Sequence, residues 1–244
     1  ADHHAATGTG LKVTLIESPD VATIGVGEGT WPTMRDTLRR IGVTETDFIH
    51  ECDAAFKQGS KFVRWSEDRE DDAYYHPFVL PQGYLETNLV AGWMQHSDVP
   101  FGKLACFQPH LCEAGKAPKQ FSTPEYAAVA NYAYHLDAGK LGVFLRNHCI
   151  NKLGVRHVSD HMTAINAHEN GDIASLQTRD HGAITGDLFI DCSGTRSLLL
   201  GEHYGVGLVS QKHVLFNDRA IAVQVPYAAP DSPIAGQTVS TAQR

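Results

Sequence analysis

The sequence predicts an α/β fold with a mainly parallel sheet, covered by helices and loops, and three observations carry that expectation. Residues 11–17 (LKVTLIE) and 188–192 (LFIDC) are short apolar runs of the kind buried on both faces of a parallel sheet, which makes them candidates for neighbouring strands. Helical patterns at 33–40 and within 126–153 lie between them. The first run ends in Glu17 and is soon followed by Gly25-Val26-Gly27-Glu28-Gly29-Thr30-Trp31-Pro32. The alternate glycines of that loop permit positive φ and close approach of a flat ligand, and Pro32 suits the first turn of a helix.

Glu17 stands where an acidic residue accepts hydrogen bonds from ribose hydroxyls in dinucleotide folds, and where a solvated strand end also places a Glu. A chain of 244 residues can bury a sizeable core in one or two domains. Its apolar fraction of 42 % and charged fraction of 20 % are those of a soluble globular protein, and no apolar run approaches the ~20 residues of a membrane span. A net charge of -8 argues against a nucleic-acid surface, which needs clustered Lys and Arg. Five cysteines without a CxxC pair point to neither a disulfide framework nor a zinc site, and they fit a reducing cytoplasm.

In chain order, residues 1–10 read as a helix tail stopped by Gly8 and Gly10. Residues 33–40 form a helix closed at Gly42, and Thr44-x-x-Asp47 opens a second helix toward Cys52. Residues 56–65 read as a strand in which Lys57 and Lys61 share a face, a pattern that a solvated edge also gives. After the charged loop 66–73, Tyr74-Tyr75-His76-Pro77-Phe78 gathers rings that can wall an aromatic pocket or pack a core. Residues 81–124 lack periodicity and read as loops and short helices over the site. Residues 126–153 carry a helical pattern closed by Gly154, with Asp137 as cap. Residues 154–165 read as strand, and Asp180-His181-Gly182 joins strands 173–178 and 183–190. The second strand leads into Asp191-Cys192-Ser193-Gly194, where small residues let a cofactor pass close to backbone. From residue 204 on, VGLVS and AIAVQV are β-rich.

The glycine loop resembles the GVGEAT-x-P loop of the flavin-dependent tryptophan halogenase family. AFKQGSKFVRW (55–65), DDAYYHPF (71–78), AYHLDAGKLGVFLR (133–146) and DLFIDCSGTRSLL (187–199) match further family segments in the same order. The resemblance covers about residues 11–225 and implies an FAD-dependent monooxygenase-like fold. Residues 1–50 and 135–225 would then be the FAD-binding part, and 51–134 the substrate-site part. It implies Glu17, Val26, Gly27, Glu28, Thr30, Met162 and Gly194 at the cofactor, and His76 and Phe78 at an indole-like substrate. Lys57, the lysine of the AFK element, would direct the hypohalous species. The family uses reduced FAD from a separate flavin reductase, oxygen and a halide ion, acts in the cytoplasm without nucleic acid or membrane, and leaves a homodimer open.

Two family features are not in these residues. The GGGTAGW phosphate-binding segment would precede Ala1, and Trp31, Trp65 and Trp93 offer no W-x-W-x-I-P element. The expectation is a chain incomplete at both ends, which by itself binds FAD poorly. A flavin monooxygenase that hydroxylates directly and a non-catalytic flavin-fold binding protein are the competing readings.

Overall fold

The computed structural model describes residues 8, 10–21, 27–69 and 71–242. The helix tail expected over the first ten residues falls almost wholly outside that range, as do Gly25 and Val26. The first half of the chain supplies β1 (Thr14–Glu17), α1 (Thr33–Arg40), α2 (Glu45–Glu51), β2 (Ala55–Lys57), β3 (Gly59–Val63), β4 (Ala73–Pro77), α3 (Leu89–Trp93), α4 (Phe101–Ala105) and α5 (Gln108–Glu113). Then come β5 (Ala133–His135), α6 (Ala138–Leu153), β6 (Arg156–Ser159), β7 (Met162–Ala167), β8 (Ile173–Thr178), β9 (Ala183–Thr185) and β10 (Thr238–Thr241). The result is mixed α/β, and no described helix is long and apolar enough to cross a membrane.

Two compact units form, one from residues 1–24 and 147–223, the other from 25–146 and 224–244. In the first, β1 pairs in parallel with β6, Glu17 opposite Ser159, and β7, β8 and β9 form an antiparallel sheet. The Asp180-His181-Gly182 turn joins β8 to β9 as expected. It is locked by the buried Asp160 carboxylate, which accepts from the backbone N–H groups of Asp180 and His181 at 2.9 and 3.0 Å. Burial alone would raise the Asp160 pKa, but the His181 imidazole and the backbone N–H groups of Asp180 and His161 hold it below the ordinary value.

Residues 188–192 are not the strand beside β1. Leu188 and Ile190 are 80 % and 77 % exposed, and β6 is the partner that β1 takes. The cause is local, because the Asp191 carboxylate accepts from the backbone N–H of Ser193, Leu199 and Leu200 and from the Ser193 hydroxyl. These bonds fold the chain into a turn around Gly194 and depress the Asp191 pKa to about 2, with the Ser193 hydroxyl the foremost cause. The β-rich runs after residue 204 likewise form no strand among the described residues, since β propensity is realised only where a partner edge is present.

In the second unit, Leu38, Val43, Phe48, Cys52, Tyr132, Tyr134 and Leu136 form the core. Leu38 is the buried position of α1, which ends as expected at Gly42 with φ 76°. Thr44 caps α2, its hydroxyl accepting from the Asp47 N–H at 3.1 Å. The helical reading of 126–153 holds only from Ala138, where Asp137 accepts from the Lys140 N–H at 2.9 Å. Upstream, the chain is the strand β5, antiparallel to β2, because Tyr132, Ala133 and Tyr134 are all fully buried and leave no polar face for an amphipathic helix. β3 lies between β10, parallel to it, and β4, antiparallel.

Candidate active site

The expected single strand through Lys57 and Lys61 is two strands in two sheets. Gln58 separates β2 from β3, and Gly59 turns the chain at φ 134°. Lys57 points inward and is 6 % exposed, while Lys61 lies over the Tyr75 ring at 5.4 Å. A Cβ at Gly59 would lie 2.5 Å from the His76 carbonyl oxygen, so the close pairing of β3 with β4 requires glycine here. Gly59→Ala is expected to cost at least about 2 kcal/mol in thermal unfolding, because strained backbone and a backbone clash coincide.

Lys57 Nζ lies over the Trp31 ring, 5.3 Å from its centre, and 5.8 Å from the centre of Phe78. Burial lowers its pKa below the ordinary lysine value. The loop reaches it through Gly29, where a Cβ would stand 3.4 Å from Nζ and 3.6 Å from His135 Cδ2. Those are ordinary contacts, so the glycine leaves room for one small group beside the amine. The His135 pKa is lowered by burial and then by the Lys57 charge, and its Nε2 lies 2.9 Å from Thr238 Oγ1.

The rings gather at the same point. Trp31 packs on Phe78 with centres 5.6 Å apart and on His76 at 6.4 Å. Phe78 owes its place to Gln108, whose fully buried side-chain oxygen accepts from the N–H of Phe78 and Val79 at 2.7 and 2.9 Å. The Gln108 amide nitrogen donates to the Asn131 carbonyl at 2.6 Å, and Asn131 Nδ2 donates to the Phe78 carbonyl at 3.1 Å. Gln108→Ala should destabilise by about 2 kcal/mol or more, since two amides lose their shared acceptor, while Gln108→Glu keeps that acceptor, loses only the donor to the Asn131 carbonyl and is expected to fall between. Thermal unfolding of the two variants checks the order.

The glycine loop is stitched to β5. The Leu136 N–H donates to the Glu28 carbonyl at 2.9 Å, Gly29 bridges His135, and the Thr30 N–H donates to the Tyr134 carbonyl at 2.8 Å. The Thr30 hydroxyl also accepts from the Tyr134 N–H at 3.0 Å. Gly27 is exposed, and a Cβ there would meet no heavy atom of the described residues within 4 Å. Thus Gly27, Glu28, Thr30, Lys57, His76 and Phe78 belong to one unit, while Val26 lies outside the described residues. Glu17, Met162 and Gly194 belong to the other. There Glu17 ends β1 half-exposed with His157 Nε2 at 2.9 Å, Met162 begins β7, and Gly194 opens an exposed turn at φ 67°.

Sequence reading misses Trp31, His135 and Gln108. The Trp31 signal is its place between the loop and Pro32, which sets its ring at the start of α1 with its carbonyl accepting from the Met34 N–H at 2.9 Å. Gln108 has no sequence signal, since its role comes from burial.

The fold is that of the flavin-dependent halogenases. A tryptophan halogenase from Shewanella frigidimarina superimposes with a TM-score of 0.89 and 54 % identity over 96 % of this chain and 45 % of its own. The tryptophan 6-halogenase SttH of Streptomyces toxytricini does so with a TM-score of 0.88 and 32 % identity over 99 % and 48 %. Residues 2–244 match the sequence profile of the tryptophan halogenases, and the chain belongs to that family. The tryptophan 7-halogenase RebH of Lentzea aerocolonigenes is 34 % identical over 91 % of this chain and 44 % of its own length. The chain spans about half the length of the curated relatives it matches.

Proposed function

We propose that this chain supplies the flavin loop, the halogen-directing lysine and part of the aromatic pocket of a flavin-dependent halogenase acting on tryptophan, indole or a related ring. The observation that carries the reading is the placement of the buried Lys57 amine beside Gly29 of the loop and over Trp31, with Phe78 next to it. Gly27, Glu28, Thr30 and Val26 hold the flavin end of FAD, and Glu17, Met162 and Gly194 its nucleotide end. Residues 1–50 and 135–225 serve the cofactor and 51–134 the substrate. Reduced FAD, supplied by a flavin reductase, provides hypohalous acid from oxygen and halide.

Lys57 restrains that oxidant in one of two ways. Its ammonium donates a hydrogen bond to the hypohalous oxygen, or its neutral amine exchanges an N–H for an N–halogen bond with release of water. Burial lowers the Lys57 pKa, which widens the pH range over which the second route is open beside the first. His76 and Phe78 hold the substrate ring near the amine, so that confinement rather than intrinsic reactivity selects the carbon attacked. The test is the complete protein with reductase, FAD, bromide and a panel of tryptophan, indole and simple substituted indoles, read by mass spectrometry. A monobrominated product from at least one of them is expected, whereas oxygen consumption with every ring unchanged overturns the reading.

A further inference from the structure

We infer that Trp31 is itself a modification site, an indole of this chain that takes the halogen from Lys57 when no substrate intervenes. The inference rests on the reading of Lys57 as carrier of the halogenating species. Its geometry stands apart from that reading, however, because Trp31 presents the chemical class of ring that the family halogenates.

Three features of the site converge on this residue. Lys57 Nζ lies over the ring face, 5.3 Å from its centre, which is the direction from which an electrophile meets the π electrons. A halogen borne on that nitrogen extends toward the ring by a further bond length. Second, Trp31 is 58 % exposed as a residue, so an oxidant arriving through water can reach it. Third, its neighbours are tilted or edge-on, Phe78 at 55° and His76 at 63°, and neither stacks flat over the indole.

The step balances without a further reactant. Hypohalous acid converts the Lys57 amine to a haloamine and water. The indole carbon forms its bond to halogen as the N–halogen bond breaks, and the indole loses a proton to the amine, which regenerates Lys57. If the halogen adds at a carbon that cannot shed a proton, water displaces it as halide and one oxygen remains on the ring. Either adduct marks attack at Trp31.

Trp65 provides an internal comparison. It is 48 % exposed, packs edge-on against Phe62 and donates its indole N–H to the Ser240 carbonyl at 3.0 Å. The experiment adds dilute hypobromous acid directly to the complete protein without flavin and maps the modified peptides over time. Trp31 is expected to be modified on the order of ten times faster than Trp65, the least that confinement at the amine should give. Lys57→Met should bring the two rates together, and Lys61→Ala should leave their ratio unchanged.

Equal rates at Trp31 and Trp65 in the unaltered chain would overturn the inference, whether or not Lys57→Met folds. A ratio that survives Lys57→Met would do the same. Because the oxidant is added directly, no flavin is involved. Preferential attack on Trp31 in a protein that, with reductase and FAD, brominates neither tryptophan nor any of the other indoles upholds this inference and removes the proposed function, and bromination without that preference does the reverse.

Discussion

Lys57→Ala in the complete protein is expected to lower halogenation of tryptophan by at least about three orders of magnitude, while FAD binding and flavin reoxidation stay near their original values. Confinement of two reactants is worth about 7–11 kcal/mol when geometry is good, and the variant forfeits most of it. The loss is confined to one step, because Lys57 faces Trp31 and Phe78 and its removal leaves the loop's bonds to β5 in place. It should not unfold the protein. Among the described residues the ammonium has no carboxylate partner, so truncation relieves a desolvation cost that offsets the cavity it leaves. Lys57→Arg separates the two routes. A guanidinium donates hydrogen bonds but does not become a neutral amine, so a haloamine route predicts an inactive Arg variant, and a hydrogen-bonding route predicts partial activity. Lys61→Ala should be close to neutral.

Glu45→Ala is expected to destabilise the second unit by about 3–5 kcal/mol, the cost of breaking a buried pair and leaving a charge behind. Glu45 is 3 % exposed, and its Oε2 accepts from Lys119 Nζ at 2.7 Å and from the Tyr126 N–H at 2.9 Å. Its Oε1 accepts from the hydroxyl groups of Tyr132 and, at 2.7 Å, Tyr134. One carboxylate thus ties the first turn of α2 to the core tyrosines and to Tyr126, whose backbone is held at φ 60°. Burial alone would raise the Glu45 pKa, yet Lys119, the tyrosine hydroxyls and the Tyr126 amide outweigh it and bring the pKa below its ordinary value. The sign follows. A depressed carboxylate pKa contributes stability that is present above the unfolded value and is lost as pH falls through and below the ordinary carboxylate range. Thermal unfolding from neutral to acid pH should show that loss in the original protein and a smaller one in Glu45→Gln, which keeps its shape but gives Lys119 no charge.

The glycine loop, Lys57, the His76 and Phe78 segment and the capped helices α1 and α2 were all legible, because each depends on local chemistry or a short motif. What the sequence does not show is where burial overrides pattern. Even spacing puts Lys57 and Lys61 on one face only if one strand carries both, and the backbone at Gly59 breaks that premise. The 126–153 stretch has helical spacing throughout, yet Tyr132 and Tyr134 are drawn into the core around Glu45. Residues 188–192 look like a buried strand by composition, but Asp191 gathers four local donors and ends the extended run. Trp31 and Gln108 depend on neighbours distant in sequence, and no local rule reports those.

Halide dependence of the product tests the central claim most directly. The complete protein, with reductase and FAD, is given tryptophan once with bromide and once without any halide, and the products are weighed beside the oxygen consumed. A halogenase site organised around Lys57 predicts brominated tryptophan in the first case, and in the second oxygen uptake with tryptophan unchanged. Hydroxylated tryptophan in the halide-free reaction would contradict it and make the protein a flavin monooxygenase.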